Sequence, residues 1–430
     1  YIKETAFENI FRFDFSSYFE GSLEDIFENF EQNKFWEIKP NLSHEKFDEE
    51  KAKEYAKQYY ELLEDAVRIR LRADVKVGSA LSGGLDSSSI VYLVNKLLKE
   101  QDKEELQETF SSVYKSDGTQ ECDESYFIDI MALKLGVHSN QIEPKEDEIP
   151  SQIEKMIWHL ENPPDNSLMS SWHTFKLVAS TDVKVTLDGQ GADEQLGGYL
   201  PYLLNYISSL SIVDMFSQAK KCLQIPNSSK YVFVGLCLGI YRVLFGEKFL
   251  KFTIKNIFKR DFETNLNKKL GIDTMGSLIT LIHYADHTSM AFSIESRMPF
   301  MDYRLVEFLA SVPACYKMRD GWTKYLARLA FDGKLPDEIN WRKDKMGWPI
   351  PENYWFRGNL KEWFIKQIKS SKLVDRYNID IEEQLEVTQR LNKPLNEAYN
   401  RYDSIGYREH TAEEEKQAEK EYERCKAEYE

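Results

Sequence analysis

A chain of 430 residues, 42% hydrophobic and 13% aromatic, can bury a sizeable core and exceeds the usual span of one domain. Its 56 basic residues against 72 acidic ones leave a formal net charge of −16, which argues against general nucleic-acid binding, because backbone recognition needs concentrated positive charge. Five scattered cysteines, without disulfide or zinc spacing, fit a reducing, cytoplasmic setting, and no signal-peptide pattern follows Tyr1.

The first 45 residues hold aromatics in short runs, with a period-two stretch at Phe11, Phe13 and Phe15, but too little chain to close a core. From Phe47 to Leu71, apolar Ala52, Tyr55, Ala56, Tyr59, Leu62, Leu63, Ala66 and Val67 recur at three- and four-residue intervals and predict an amphipathic helix. Val75, Val77 and Ala80 predict a strand. A glycine loop, SGGLDSS (82–88), follows it, and then a helix with Ile90, Val91, Val94, Leu97 and Leu98 inward. A second strand is expected within 105–114, a helix over 124–136, and a third strand over Val183–Leu187, which ends in the loop LDGQGADEQLGGY (187–199). Strands alternating with helices predict an α/β fold, a doubly wound and mostly parallel sheet with ligands beyond the carboxyl ends of its strands.

Beyond Tyr199 the pattern is helical to about residue 350. Within it, YVFVGLCLGIYRVLF (231–245) falls short of the roughly 20 residues that cross a bilayer, so a buried helix is expected. The next stretch sets Lys248, Lys251, Lys255, Lys259 and Arg260 among Phe, Leu and Ile. A helix packed on its own domain is the expectation there and an anionic membrane surface the alternative, so no membrane partner is expected. The last twenty residues hold eight Glu and four basic residues and read as a solvated helix or frayed tail.

Two loops carry chemistry. In the first, Gly83 and Gly84 let backbone amides turn toward an anion at a helix N-terminus, and Ser82, Ser87 and Ser88 can donate to phosphate oxygens. Asp86 would repel phosphate by itself, so it implies a bridging cation, most simply Mg²⁺. Neither the Walker lysine nor a dinucleotide GxGxxG is present. The second loop offers Asp188, Asp193 and Glu194. If the loops share one crevice, Asp86 and Asp193 form a two-carboxylate clamp; a bare surface turn is the lesser alternative for either loop taken singly. Glu295, Arg297 and Asp302 interrupt an apolar stretch and are expected to pair with one another or to touch substrate. Arg342, Lys343 and Lys345 could set an ammonium on developing phosphate charge. His283 and His287 have helical i, i+4 spacing but lack the HExxH glutamate.

Taken in order, LSGGLDSSS, CDESYF (122–127), LDGQGADEQLGGY, SMAFSIESRMPFMDYRLVEF, TKYLARLA and RKDKMGWPIP resemble the synthetase domain of the glutamine-dependent asparagine synthetases, a branch of the ATP pyrophosphatases, from about Glu49 to Trp355. The resemblance implies that a substrate carboxylate, aspartate first, is adenylated by ATP with loss of pyrophosphate, and that ammonia then gives the amide and AMP. It assigns Mg²⁺ to Asp86 and Asp193, the nucleotide cradle to Ser82, Gly83, Gly84, Leu85, Asp86, Ser87, Ser88 and Gly189, and catalysis to Lys345, with Lys343 the alternative. Gln190 stands where the family often has a glutamate; Glu194 could assist instead, or the acceptor could differ, since relatives act on sugar carboxylates or peptides. A kinase or ATPase, or a non-catalytic nucleotide-binding subunit, remains as a further alternative. Residues 1–45 resemble the end of a glutaminase domain plus linker, which would leave glutamine hydrolysis outside this chain. Residues 46–365 correspond to the synthetase and 366–430 to a helical extension with a charged tail. Homo-oligomerisation stays open.

Overall fold

The computed structural model describes residues 5, 7–28, 30–101, 107–161, 168–259, 261–344 and 350–371. The chain divides into two compact units, Tyr1–Glu352 and Asn353–Glu430. In the second, a helix spans Lys361–Lys369.

The first unit is built on a five-stranded sheet: β1 (Val77–Ala80), β2 (Glu108–Ser112), β3 (His138–Ile142), β4 (Val185–Leu187) and β5 (Glu295–Arg297), in the order β3-β2-β1-β4-β5. Every pairing is parallel. Val77 lies opposite Val185 and Ser79 opposite Leu187, so the two strands that end in glycine loops are direct neighbours. Strand order runs outward from β1 in one direction and from β4 in the other. The reversal between them opens a crevice at their carboxyl ends, where a ligand fits in such sheets.

The helices around this sheet include α1 (Glu49–Arg70), α2 (Leu85–Glu100), α3 (Ser125–Leu135), α4 (Leu168–Ala179), α5 (Ala192–Leu196) and α6 (Tyr202–Ser209). Farther along come α7 (Ser229–Phe245), α8 (Glu247–Phe258), α9 (Ser277–Met290) and α10 (Tyr325–Phe331). Helix α1 starts where the Asp48 carboxylate accepts from the Lys51 amide at 2.9 Å, and it buries Ala52, Ala56, Tyr59, Leu63, Ala66 and Val67. All but Ala66 pack with Ile90, Val91, Leu93, Val94 and Leu97 of α2 and with Leu326, Ala327 and Phe331 of α10 in one core. The N-terminal segment contributes a short antiparallel pair, Ser17–Tyr18 with Asn33–Lys34. It is tied down by Trp36, whose indole donates to Glu307 at 2.7 Å, and by Asn41, whose amide donates to the Ala310 carbonyl at 2.8 Å.

Three expectations change. Val75 lies outside β1 and is 49% exposed. Edge strands β3 and β5 were not foreseen, because HSNQI and ESR carry no apolar alternation. The apolar run 231–245 is helical but is not a core helix. Only Val232, Gly235 and Gly239 of α7 are buried, while Phe233, Leu244 and Phe245 are 68%, 68% and 58% exposed. The inward face is glycine because backbone lies against it. A Cβ on Gly235 would come 3.2 Å from the Ile207 Cβ and 3.4 Å from the Leu203 carbonyl. Arg242, the charge in the run, donates to the Ser208 and Leu210 carbonyls at 2.7 and 2.6 Å, supplying partners at the end of α6. Among the described residues, no helix is long and apolar enough to cross a membrane.

Candidate active site

The loop after β1 is shaped by two constraints. Gly83 has φ +74° and sits against α3, where a Cβ would approach the Phe127 Cβ to 2.8 Å, so any side chain there would be both strained and crowded. The Ser82 amide donates to the Ser87 hydroxyl at 3.1 Å, and the two hydroxyls lie 3.0 Å apart, folding the loop over the start of α2. Gly84 is the N-cap and no side chain caps it, so the first amides of a 16-residue helix are available to an anion.

The loop after β4 meets the first one closely. A Cβ on Gly189 would come 3.0 Å from the Ser87 amide nitrogen and 3.2 Å from the Asp86 Cβ, so glycine is what lets the loops touch. Together they border a cavity of about 310 Å³. Ser82, Gly84, Asp86 and Ser87 line it from the first loop, and Asp188, Gly189, Gln190, Asp193 and Glu194 from the second. Phe110, Ser112, Tyr114 and Phe175 form its wall on the β2 side; Leu281 and Ala285 of α9 add an apolar patch. Of the expected cradle, Gly83, Leu85 and Ser88 do not line the cavity, and Ser88 is fully buried behind it.

Asp86 and Asp193 do come together, and a third group joins them. The Lys324 ammonium lies 2.6 Å from the Asp193 Oδ1 and bonds to the Asp86 Oδ2, with 1% of its side chain exposed. Lys324 caps α10 in a left-handed conformation, φ +52°. Sequence reasoning quoted TKYLARLA but passed over its lysine. The signal was there: YLARLAF is an apolar run whose burial carries the adjacent charge inside, where it needs partners.

Glu194 is 1% exposed. Its Oε1 accepts from the Tyr199 hydroxyl at 2.8 Å, while its buried Oε2 has no hydrogen-bond partner among the described residues. Burial and then the charge of Asp193 raise its pKa above the ordinary carboxylate range. Asp188 is pushed up to about 6 by burial, although it accepts from the Ser296 hydroxyl.

The third and fourth stretches divide. Arg297 is held by Glu295 at 2.8 and 3.1 Å and by the Arg70 and Arg72 carbonyls at 2.8 Å each, and it does not line the cavity. Asp302 pairs with Arg70 and Arg304; burial works against it, but these bonds hold its pKa at about 2. Both are therefore fold contacts. Arg342 forms a two-pronged pair with Glu124 at 2.8 and 2.9 Å, and its guanidinium lies 3.6 Å from the Phe127 ring centre. Glu124 borders the cavity, so this pair brings the fourth stretch to its rim. Lys343 is engaged elsewhere, donating to Gln224 at 2.8 Å over the Trp322 ring. Lys345 lies outside the described residues. The His287 Nδ1 donates to the His159 carbonyl at 2.8 Å, tying α9 to its neighbour.

A nest of amides and hydroxyls, two carboxylates and a buried ammonium, set at the switch point of a parallel sheet, can hold a polyphosphate and the cation it carries. Two carboxylates without a fuller ligand set suit Mg²⁺ that arrives on phosphate, since Mg²⁺ retains waters and takes its remaining ligands from the nucleotide.

Comparison with known proteins agrees with this geometry. The asparagine synthase family model matches residues 58–404. The chain is 26% identical over 353 residues to asparagine synthetase [glutamine-hydrolyzing] 1 of Bacillus subtilis, covering 75% of this chain and 53% of that protein. It is 27% identical over 375 residues to amidase chry2 of Gibberella zeae (74% and 55%) and 26% identical over 410 residues to amidase chyE of Penicillium rubens (81% and 59%). The chain thus spans about half the length of the curated relatives it matches. A match over most of the sequence, with the paired glycine loops meeting at the crevice where strand order reverses, makes this chain a member of the asparagine synthase family, carrying its synthetase domain.

Proposed function

We propose that this chain is an AMP-forming amide ligase. A substrate carboxylate attacks the α-phosphorus of ATP, pyrophosphate leaves, and ammonia displaces AMP from the acyl-adenylate. The observation that carries the reading is the meeting of Asp86 and Asp193 on Lys324 beneath two glycine loops. In it, Ser82, Ser87 and the first amides of α2 receive the pyrophosphate end. Asp86 and Asp193 would hold the Mg²⁺ that enters with the nucleotide, and Lys324 offsets their mutual repulsion. The adenosine end lies on the β2 side, against Phe110, Tyr114 and Phe175. Lys345, three residues after Arg342 in the sequence, supports the charge that builds during adenylation.

The family description points to aspartate as acceptor. A second reading, a larger and less charged carboxylate such as a sugar acid or a peptide, draws support from three observations. Arg297 is spent on fold contacts, the apolar Leu281 and Ala285 line the same cavity as Gln190, and Gln190 cannot accept a proton as a carboxylate does. Glu194, with its raised pKa and an Oε2 that has no hydrogen-bond partner among the described residues, is the neighbouring group able to take a proton from attacking ammonia.

Incubation with Mg·ATP, ammonium chloride and a panel of carboxylates, followed by chromatography and mass spectrometry of products, tests both layers. AMP and pyrophosphate with an amidated acceptor are expected. ADP without AMP would overturn the ligase reading, whereas AMP with no asparagine would move the acceptor and leave the adenylation chemistry standing.

A further inference from the structure

The helical pair α7–α8 is inverted relative to an ordinary surface element. On α7 the glycines pack inward and the large apolar residues face outward; on α8 Leu250 is buried while Phe249 and Phe252 face outward. Across the turn at Gly246 (φ +87°) the aromatic rings are contiguous. Tyr241 and Phe245 have centroids 4.8 Å apart, Phe245 and Phe249 6.0 Å, and Phe249 and Phe252 6.4 Å. Phe245, Phe249 and Phe252 are 58%, 48% and 63% exposed, a ridge that water would not maintain without some partner.

Charge selects the partner. Residues 229–260 carry seven basic side chains and one acidic, Glu247, in a chain whose net charge is −16. Lys248, Phe252 and Lys255 follow at intervals of four and three along α8, so cations stand beside the aromatic edge, and Lys259 follows just past the helix end at φ +53°. Lys251 and Lys255 are paired, with Glu247, Glu263 and Asp261, but Lys230, Lys248 and Lys259 form no ion pair among the described residues. Facing a second copy of itself, this surface would bring like charges together; an anionic bilayer offers both the apolar depth and the opposite charge.

We infer that the α7–α8 hairpin is a peripheral docking surface for an anionic lipid bilayer. The Phe245–Phe249–Phe252 ridge enters the headgroup–acyl boundary, and Lys248 and Lys259 meet lipid phosphates. The acidic remainder of the molecule keeps the rest of the surface away from the membrane and so orients the chain. This inference stands apart from the reaction proposed above, since none of these residues borders the cavity.

The test is co-sedimentation of the full chain with vesicles of phosphatidylcholine alone and with about one third phosphatidylglycerol. Binding to the anionic vesicles is expected to exceed binding to the neutral ones by about tenfold or more, and to fall as salt rises from about 0.05 to 0.5 M. Phe249→Ser/Phe252→Ser and Lys248→Glu/Lys259→Glu should each abolish it while keeping the parent's circular dichroism and melting temperature. Equal binding to both vesicle types, no binding to either, or binding retained in both double variants would overturn the inference. Concentration-dependent self-association in sedimentation velocity, abolished by Phe249→Ser/Phe252→Ser without any vesicle binding, would overturn it in favour of a second copy.

Discussion

Lys324 and Asp193 are far apart in the sequence yet lie 2.6 Å apart in the fold, with Asp86 bonded to the same ammonium. Removing the cation leaves two carboxylates facing each other in a buried place. Lys324→Met is therefore expected to cost about 3–5 kcal/mol of stability and to lower AMP formation about 10²-fold or more. Asp86→Asn and Asp193→Asn should lower turnover by a similar factor. The double variant Lys324→Met/Asp193→Asn separates the two roles, because it should regain stability without regaining turnover. Thermal melts and single-turnover AMP assays read both; turnover within about twofold of the parent in any single variant would rule out its role.

The same contact depends on a residue with no side chain. A Cβ on Gly198 would fall well inside contact distance of the Asp193 Oδ1 and the Lys324 Cε. Those two atoms are held against each other and cannot both retreat. Gly198→Ala is expected to lose about 1–3 kcal/mol through overpacking and to impair AMP formation along with stability. Wild-type melting and rate would show that Lys324 can hold its place by another route.

The alternation of strands and helices made the central fold readable, because Val185 and Leu187 of β4 and Ile90, Val91, Val94 and Leu97 of α2 carry the apolar pattern that the core buries. The edge strands were not readable, since β5 is three residues long and contains Glu295 and Arg297. Both glycine loops announced themselves by composition, but their contact through Gly189 is a fact of strand order, which periodicity does not encode. Lys324 was readable only in part: the apolar run after it marks a buried charge, but nothing local marks which distant carboxylates it will meet. The α7 run misled because apolar content was read as burial, whereas close backbone approach selected Gly235 and Gly239 for the inside and left the large residues facing out.

Lys317 is 1% exposed, and desolvation lowers its pKa to about 7. A lysine whose folded pKa lies below its unfolded value of 10.5 destabilises the fold most below pH 7, and the penalty fades as pH rises from 7 toward 10.5. Lys317→Met keeps the length of the stem without the charge. It should therefore melt higher than the parent at pH 6, with the gap narrowing steadily by pH 9. Melting curves across that range check the sign. A gap that widens with pH, or a variant less stable at pH 6, would mean that the amine has a stabilising partner.

Arg342 ties Glu124 at the cavity rim to Asp344, the residue before Lys345 in the sequence. Its side chain is 5% exposed, grips both oxygens of Glu124, lies on the Phe127 ring and reaches Asp344 through Nε at 3.0 Å. A lysine at this position keeps the charge but can neither fork to two oxygens nor stack flat on the ring. Arg342→Lys is thus expected to lower the melting temperature and to slow AMP formation. Mg·ATP affinity, measured by calorimetric titration, should stay within about twofold of the parent, because Arg342 does not itself line the cavity. A loss confined to the rate would identify the pair as the anchor that presents the neighbouring lysine to the reaction. Equal losses in affinity and rate would place the effect on the nucleotide cradle instead. A parent-like rate would detach the segment from catalysis.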